Sequence, residues 1–310
     1  MCGLFGFLNY SGAGIKDLKK LTNALAEQSA VRGTDATGVA FNGNGGMCIL
    51  KESKPAHKLN FKHSDYIRAL IGHTRHSTQG SEKKNYNNHP FPGKCRNGKF
   101  ALAHNGVLYN DKVLKKELLL PKTKIETDSY VAVQLLEKKK ELSFDSIKYM
   151  AERVKGSFSF SIVDERNNIY LVKGDSPLSI IRFPKLKLIV YASTDKILYR
   201  AITETDLISE LKKGAFEEVK ISCGDILKLC ADGRVEKDKF IYSEYFGRDW
   251  WGYGSISGGS TFMMDDTMSG GYIDDLKSIA SYHGYSSTEI DELLSQGFSP
   301  FEIEEFLYEF

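Results

Sequence analysis

The apolar positions of residues 1–242 fall mostly into short strand-like runs, interrupted by a few stretches of helical period. CGLFGFL at the start is small and apolar, and it predicts a strand. Ile15, Leu18, Leu21 and Leu25 recur at helical spacing and predict a helix over residues 15–30. Strands follow at TGVAF, MCILK and ALIGHT. ALAHNGVLYN reads as a strand running into a loop, with Asp111 placed to cap a helix through Leu119. Residues 127–140 and 144–154 read as helices. After them come SFSFSIVD, NIYLVKG, LSIIRF, KLIVYAS, EEVKIS, DILKLC and RVEKDKFIY, all strand-like, with DERNN and ADGR as hairpin turns. Strand follows strand directly, so an α+β fold of antiparallel sheets with helices fits better than a doubly wound parallel sheet.

The pattern changes after residue 242. Residues 243–271 are rich in Gly and Ser and hold both tryptophans, the composition of a linker or an aromatic strap. Residues 272–310 read as a small helical tail. Within it Ser287 or Thr288 is placed to cap EIDELLSQ, Gly297 to stop it, and Ser299-Pro300 to open a last helix. The expected organisation is thus a body over 1–242, a linker over 243–271 and a tail over 272–310.

Apolar residues make up 41% of the chain and charged residues 26%, the balance of a folded globular protein rather than a disordered one. No window approaches the ~20 consecutive apolar residues of a membrane span. The N-terminus lacks a basic segment ahead of its apolar run, so it does not read as a secretory signal, and a cytoplasmic location is expected. The net charge of +2 is unevenly spread: Asp265 to Phe310 holds eleven acids and one base, Lys277, a charge of −10, which leaves +12 on the rest. The acidic tail is therefore a candidate to dock on the basic body or on a partner. No arginine cluster interleaved with aromatics marks a nucleic-acid groove. The five cysteines, Cys2, Cys48, Cys95, Cys223 and Cys230, are odd in number and include no CxxC pair, so neither a disulfide framework nor a zinc site is expected.

Cys2 is chemically distinct. Loss of Met1 would put a thiol and an α-amine on one residue, with ordinary pKa values of about 8.5 and about 7.7–8. The amine can then act as an internal general base, and no catalytic histidine is required. Six short segments accompany it in order: CGLFGF at 2–7, RGTDATG at 32–38, GHTRHSTQG at 72–80, NNHPF at 87–91, AHNGVLYN at 103–110 and ETDSYV at 126–131. Their order and spelling resemble the glutaminase domain of class II, N-terminal-nucleophile amidotransferases, most of all that of the glucosamine-6-phosphate synthases. The likeness is strong over residues 2–131 and fades to a general strand pattern by about 242.

The resemblance implies a four-layer αββα sandwich with the nucleophile on the first strand. It implies that Cys2 attacks the side-chain amide of L-glutamine, that Asn105 and the backbone of Gly106 form the oxyanion hole, and that a γ-glutamyl thioester is then hydrolysed. Arg75 would pair with the substrate α-carboxylate, a geometry that suits guanidinium. Thr78 would add a hydroxyl contact and Asp128 would take the α-ammonium group. Arg32 and Asp35 would brace the floor of the site, and Gly3 and Gly6 would permit close packing around the nucleophile. His76 and Gln79 stand in the loop that closes over glutamine, where relatives usually carry tryptophan and often histidine, which puts loop closure and coupling to an acceptor in question. His73, His89 and His104 match no standard zinc spacing and read as structural, so no metal and no cofactor is expected.

About 70 residues follow the glutaminase-like body, too few for a sugar-isomerase, phosphoribosyltransferase or synthetase domain. The expected function is ammonia release from glutamine for a separate acceptor protein. Two alternatives stand beside it: a hydrolase of another γ-glutamyl amide, and a non-catalytic binding protein that reuses the fold.

Overall fold

All seven residues of β1 (Gly3–Asn9) are buried. A strand reads as an unbroken apolar run when both its faces are covered and both its edges are paired, and β1 meets each condition. The computed structural model describes residues 2–242 and, further on, residues 273, 276, 277, 280, 281, 284–295, 303 and 307. It divides into two compact units, Met1–Phe246 and Gly247–Phe310.

The first unit is built on two sheets. One has seven strands in the order β11 (Glu217–Glu218), β9 (Ser179–Phe183), β10 (Leu188–Ala192), β1, β4 (Ala69–Arg75), β2 (Ala36–Gly43) and β3 (Gly46–Glu52). The other has six, in the order β13 (Val235–Lys239), β12 (Asp225–Leu229), β8 (Ile169–Lys173), β7 (Gly156–Asp164), β6 (Gly98–Leu108) and β5 (Phe91–Cys95). Every pairing is antiparallel.

Alternation along each strand sorts its side chains between two layers. Phe5 and Phe7 face outward, against α1 (Leu18–Ser29) and α5 (Asp195–Thr203). Leu4 and Leu8 face inward, where Ala69, Ile71, Ala101, Ala103, Val163 and Leu171 fill the space between the sheets. On the far side, Phe100, Phe158, Phe160 and Ile162 pack against α3 (Tyr130–Lys139) and α4 (Phe144–Ala151). The architecture is the expected four-layer αββα sandwich. A helix α2 (Asp111–Glu117) follows β6, and a short α6 (Ile208–Lys212) follows α5.

Several local expectations need correction. α1 starts at Leu18, not residue 15, because Asp17 sits at φ 69°, a left-handed conformation that cannot extend a helix backwards. Asn110, not Asp111, precedes the first turn of α2, without a side-chain cap bond, and Asp111 instead pairs with Lys115 at 2.7 Å within the first turns. α3 stops at Lys139 because Lys140 turns to φ 63°. EEVKIS contributes only Glu217–Glu218 as strand. Strand β5 and helices α5 and α6 were not anticipated from the pattern. For α5 the signal was present: Thr194 accepts from Ile197 N at 3.3 Å as a helix cap, and Ile197, Leu198, Ala201 and Ile202 form one buried face.

In the second unit α7 (Ser287–Ser295) is closed by a reciprocal cap. Glu289 N donates to Ser286 Oγ at 3.3 Å and Ser286 N donates to Glu289 Oε2 at 2.7 Å, so Ser286, not Ser287 or Thr288, opens the helix. Leu276, Ala280, Ile290, Ile303 and Leu307 form a small apolar core of its own. The expected linker over 243–271 lies outside the described residues.

Candidate active site

β1 and β4 are antiparallel neighbours with Gly3 opposite Thr74, so the residue before β1 and the last residue of β4 share one end of the sheet. Those residues are Cys2 and Arg75. Gly3 is required there: a Cβ would lie 2.6 Å from Thr74 Oγ1, which donates to Ser29 O at 2.8 Å. The carbonyl of Cys2 accepts from Arg32 Nε at 2.8 Å, and its half-buried sulfur lies 3.5 Å from His76 O. Burial pushes the thiol up; the chain's amino-terminal charge, a backbone contact at His76 and the Arg75 guanidinium pull it down, and Asp128 opposes them. Cys2 therefore lies within electrostatic reach of one fixed cation and one anion.

Arg75 is buried, at 3% exposure, and its guanidinium is fixed from two sides. Nη1 donates to Asn88 Oδ1 at 2.7 Å, and Nη2 donates to the carbonyls of Gln79 and Gly80 at 2.8 and 2.7 Å. The 76–80 loop is pinned as well: Ser77 N donates to Asp35 Oδ2 at 2.7 Å, and Asp35 N donates to Arg75 O at 3.0 Å. Behind Asn88, Lys51 Nζ donates to Asn88 O at 2.5 Å and to Pro90 O at 3.1 Å. Burial first, and then Arg75, lower the Lys51 pKa to about 8.

Asp128 is also buried, just before α3, and it is tied to the other sheet. Its Oδ2 accepts from Leu108 N at 2.6 Å, and its Oδ1 accepts from Ser129 Oγ at 3.3 Å. Asn105 and Gly106 lie three and two residues before Leu108 on the same strand. Asn105 is fully buried, and among the described residues its Oδ1 and Nδ2 have no hydrogen-bond partner. An amide in that state is costly unless something outside the chain satisfies it. Gly106 adopts φ 131°, and a Cβ there would come within 2.0 Å of Ser157 O, so only glycine fits.

Three buried imidazoles stand behind these residues. His73 and His89 lie with ring centroids 4.2 Å apart, and His104 stacks on Phe160 at 4.7 Å. His73 Nε2 bonds to His104 O at 2.9 Å, which ties β4 to β6. Burial keeps all three neutral: it lowers His73 to about 3, depresses His104 and takes His89 well below its ordinary value. Among the described residues no group of three or more His, Cys, Asp and Glu side chains is arranged to hold a metal ion.

Of the residues singled out from the sequence, Cys2, Arg75 and Asp128 are within electrostatic reach of one another. Arg32 and Asp35 touch the Cys2 carbonyl and the 76–80 loop. Asn105 and Gly106 join through the Leu108–Asp128 bond. Thr78 is different: it is exposed on the loop. His76 is half-buried, with its carbonyl against Cys2. Sequence reasoning did not anticipate Lys51, Asn88 or Ser129. Asn88 and Ser129 stand inside the NNHPF and ETDSYV segments, which was the available signal; Lys51 sits in an ordinary strand and gave none.

Residues 73–200 match a glutamine amidotransferase domain family. The chain is 32% identical over 188 residues to a glutamine–fructose-6-phosphate aminotransferase (isomerizing) of Bacillus thuringiensis, a match covering 58% of this chain and 30% of that protein. It is 33% identical over 189 residues to the enzyme of that name from Staphylococcus epidermidis, with the same coverage. The chain thus spans about a third of the length of these curated relatives. Among solved structures, the glutamine phosphoribosylpyrophosphate amidotransferase of B. subtilis superposes with a TM-score of 0.59 at 22% identity, over 78% of this chain and 50% of that one, a likeness of fold. Two antiparallel sheets between helices and these sequence matches show that the chain carries a glutamine amidotransferase domain of the class II type.

Proposed function

We propose that the domain releases ammonia from L-glutamine through a γ-glutamyl thioester on Cys2, with Met1 removed. The observation that carries this reading is the β1–β4 register, which sets Cys2 beside Arg75, with Asp128 of opposite charge also near enough to act on the Cys2 thiol. A free α-amino acid carries a carboxylate and an ammonium group, and this pair offers a complement to each. The Cys2 amine takes the thiol proton, and the sulfur attacks the side-chain amide carbon. The oxyanion rests on the Asn105 amide and the Gly106 N–H, and the otherwise unpartnered Asn105 amide supports that role. Collapse breaks the C–N bond, the amine delivers the proton to departing ammonia, and water then splits the thioester to glutamate and free thiol.

The ammonia is consumed by a separate acceptor protein, for which the acidic tail is the proposed docking element, and the reaction belongs to a cytoplasmic setting. Among the described residues no helix is long and apolar enough to cross a membrane. The test is glutamate release by the purified chain across glutamine and a panel of γ-glutamyl peptides. Preferential cleavage of glutamine, rising when an acceptor is added, supports the proposal. Preference for the peptides would replace glutamine with another γ-glutamyl amide, and no cleavage of either would return the fold to a binding role.

A further inference from the structure

Ser129 stands at the residue that opens α3, where a serine hydroxyl ordinarily accepts a bond from the helix backbone. It makes no such bond. Its Oγ instead lies 2.8 Å from His104 Nδ1 and 3.3 Å from Asp128 Oδ1, and all three side chains are at most 4% exposed. A serine hydroxyl has one proton, and a carboxylate only accepts. The proton of Ser129 therefore points at Asp128, and His104 must supply an N–H at Nδ1 to satisfy the serine oxygen. Burial holds His104 neutral, with one ring proton, and the Ser157 carbonyl also lies against the ring, so the relay below assigns that proton to Nδ1 rather than toward Ser157. His104 is fixed in turn by stacking on Phe160 and through its carbonyl, which bonds to His73 Nε2 at 2.9 Å.

We propose that His104 and Ser129 are positioning residues that form a one-way hydrogen-bond relay, His104 Nδ1–H to Ser129 Oγ–H to Asp128 Oδ1, which orients the carboxylate for the substrate ammonium group. The inference rests on the reading of the pocket as a glutamine site. With Leu108 N on Oδ2 and Ser129 on Oδ1, both oxygens are held in place, and the orientation is set before substrate arrives.

The relay makes a prediction that a purely structural serine does not. Kinetics are compared on L-glutamine and on glutaramate, the same amide without the α-amino group. Ser129→Ala should raise KM for glutamine about 10-fold with kcat little changed, the loss expected when a hydrogen bond to a charged group is removed. It should leave kcat/KM for glutaramate unchanged. His104→Asn, whose amide N–H can stand near Nδ1, should keep most of the glutamine affinity, whereas His104→Ala should behave as Ser129→Ala. Equal losses on both substrates, or no loss on either, overturn the relay. Calorimetry on the unaltered chain separates the two levels: absence of glutamine binding overturns the reading of the pocket itself, and glutamine binding that is insensitive to Ser129→Ala overturns the relay alone.

Discussion

Asp128 Oδ2 accepts from the backbone N–H of Leu108 at 2.6 Å, and this one bond joins the start of α3 to the strand that carries Asn105 and Gly106. The proposed reader of the substrate ammonium group and the proposed oxyanion donors are thus set by a common piece of backbone. A shift of one moves the other, which makes binding and chemistry sensitive to the same contact.

Replacing Asp128 by Asn separates charge from position. The Asn oxygen can still accept from Leu108 N, so the fold should survive. Loss of the charge should lower kcat/KM for glutamine about 100-fold, the order expected for a buried charge-assisted bond. Steady-state kinetics beside a thermal melt checks both halves.

Asn105→Ala should uncouple activity from stability. The Asn105 amide has no hydrogen-bond partner among the described residues, so its removal should change unfolding free energy by no more than about 1 kcal/mol. If the amide holds the oxyanion, kcat should fall by about 10²–10³-fold. Denaturant unfolding and single-turnover rates test the two together; a large loss of stability would mean that the amide is structural.

Gly106→Ala should damage both. Its φ of 131° and the 2.0 Å approach of a Cβ to Ser157 O force the backbone to move. Strain and overpacking together should cost about 3 kcal/mol or more. Chemical denaturation gives the number, and a mild effect would show that this end of β6 is more yielding than its geometry indicates.

Acid should destabilise the fold through the buried imidazoles. His73 is lowered to about 3, while an unfolded histidine titrates near 6.5. The folded state therefore binds fewer protons than the unfolded state between those values. Stability is full above about pH 6.5 and falls as pH drops toward 3. By pH 5 His73 alone should cost about 2 kcal/mol, with His89 and His104 acting in the same direction. Urea titrations at pH 7.5 and 5 measure this, and His73→Gln should flatten the dependence.

The sequence carried the layers well because two-sided burial leaves a direct trace: CGLFGFL is apolar throughout since β1 has helices on one face and a sheet on the other. The DERNN and ADGR turns were legible for a similar reason, as each lies between strands paired directly in space, β7 with β8 and β12 with β13. Helix ends were less legible. Asp17 and Lys140 adopt left-handed conformations that tertiary packing imposes and no glycine announces. Of the site, the ordered motifs gave the charged and oxyanion candidates. They could not give Lys51, whose ammonium reaches from β3 to the Asn88 and Pro90 carbonyls, because nothing local marks a lysine that turns inward. Nor could they give the second role of Ser129, since a serine opening a helix already has an ordinary explanation.

The most direct measurement is treatment of the purified chain with a diazo-ketone analogue of glutamine, followed by intact mass and peptide mapping. The account predicts a single adduct on Cys2 at a chain terminus lacking Met1, blocked by excess glutamine and absent in Arg75→Ala. Retention of Met1 with no adduct, or labelling of Cys48 or Cys223 in place of Cys2, would contradict it.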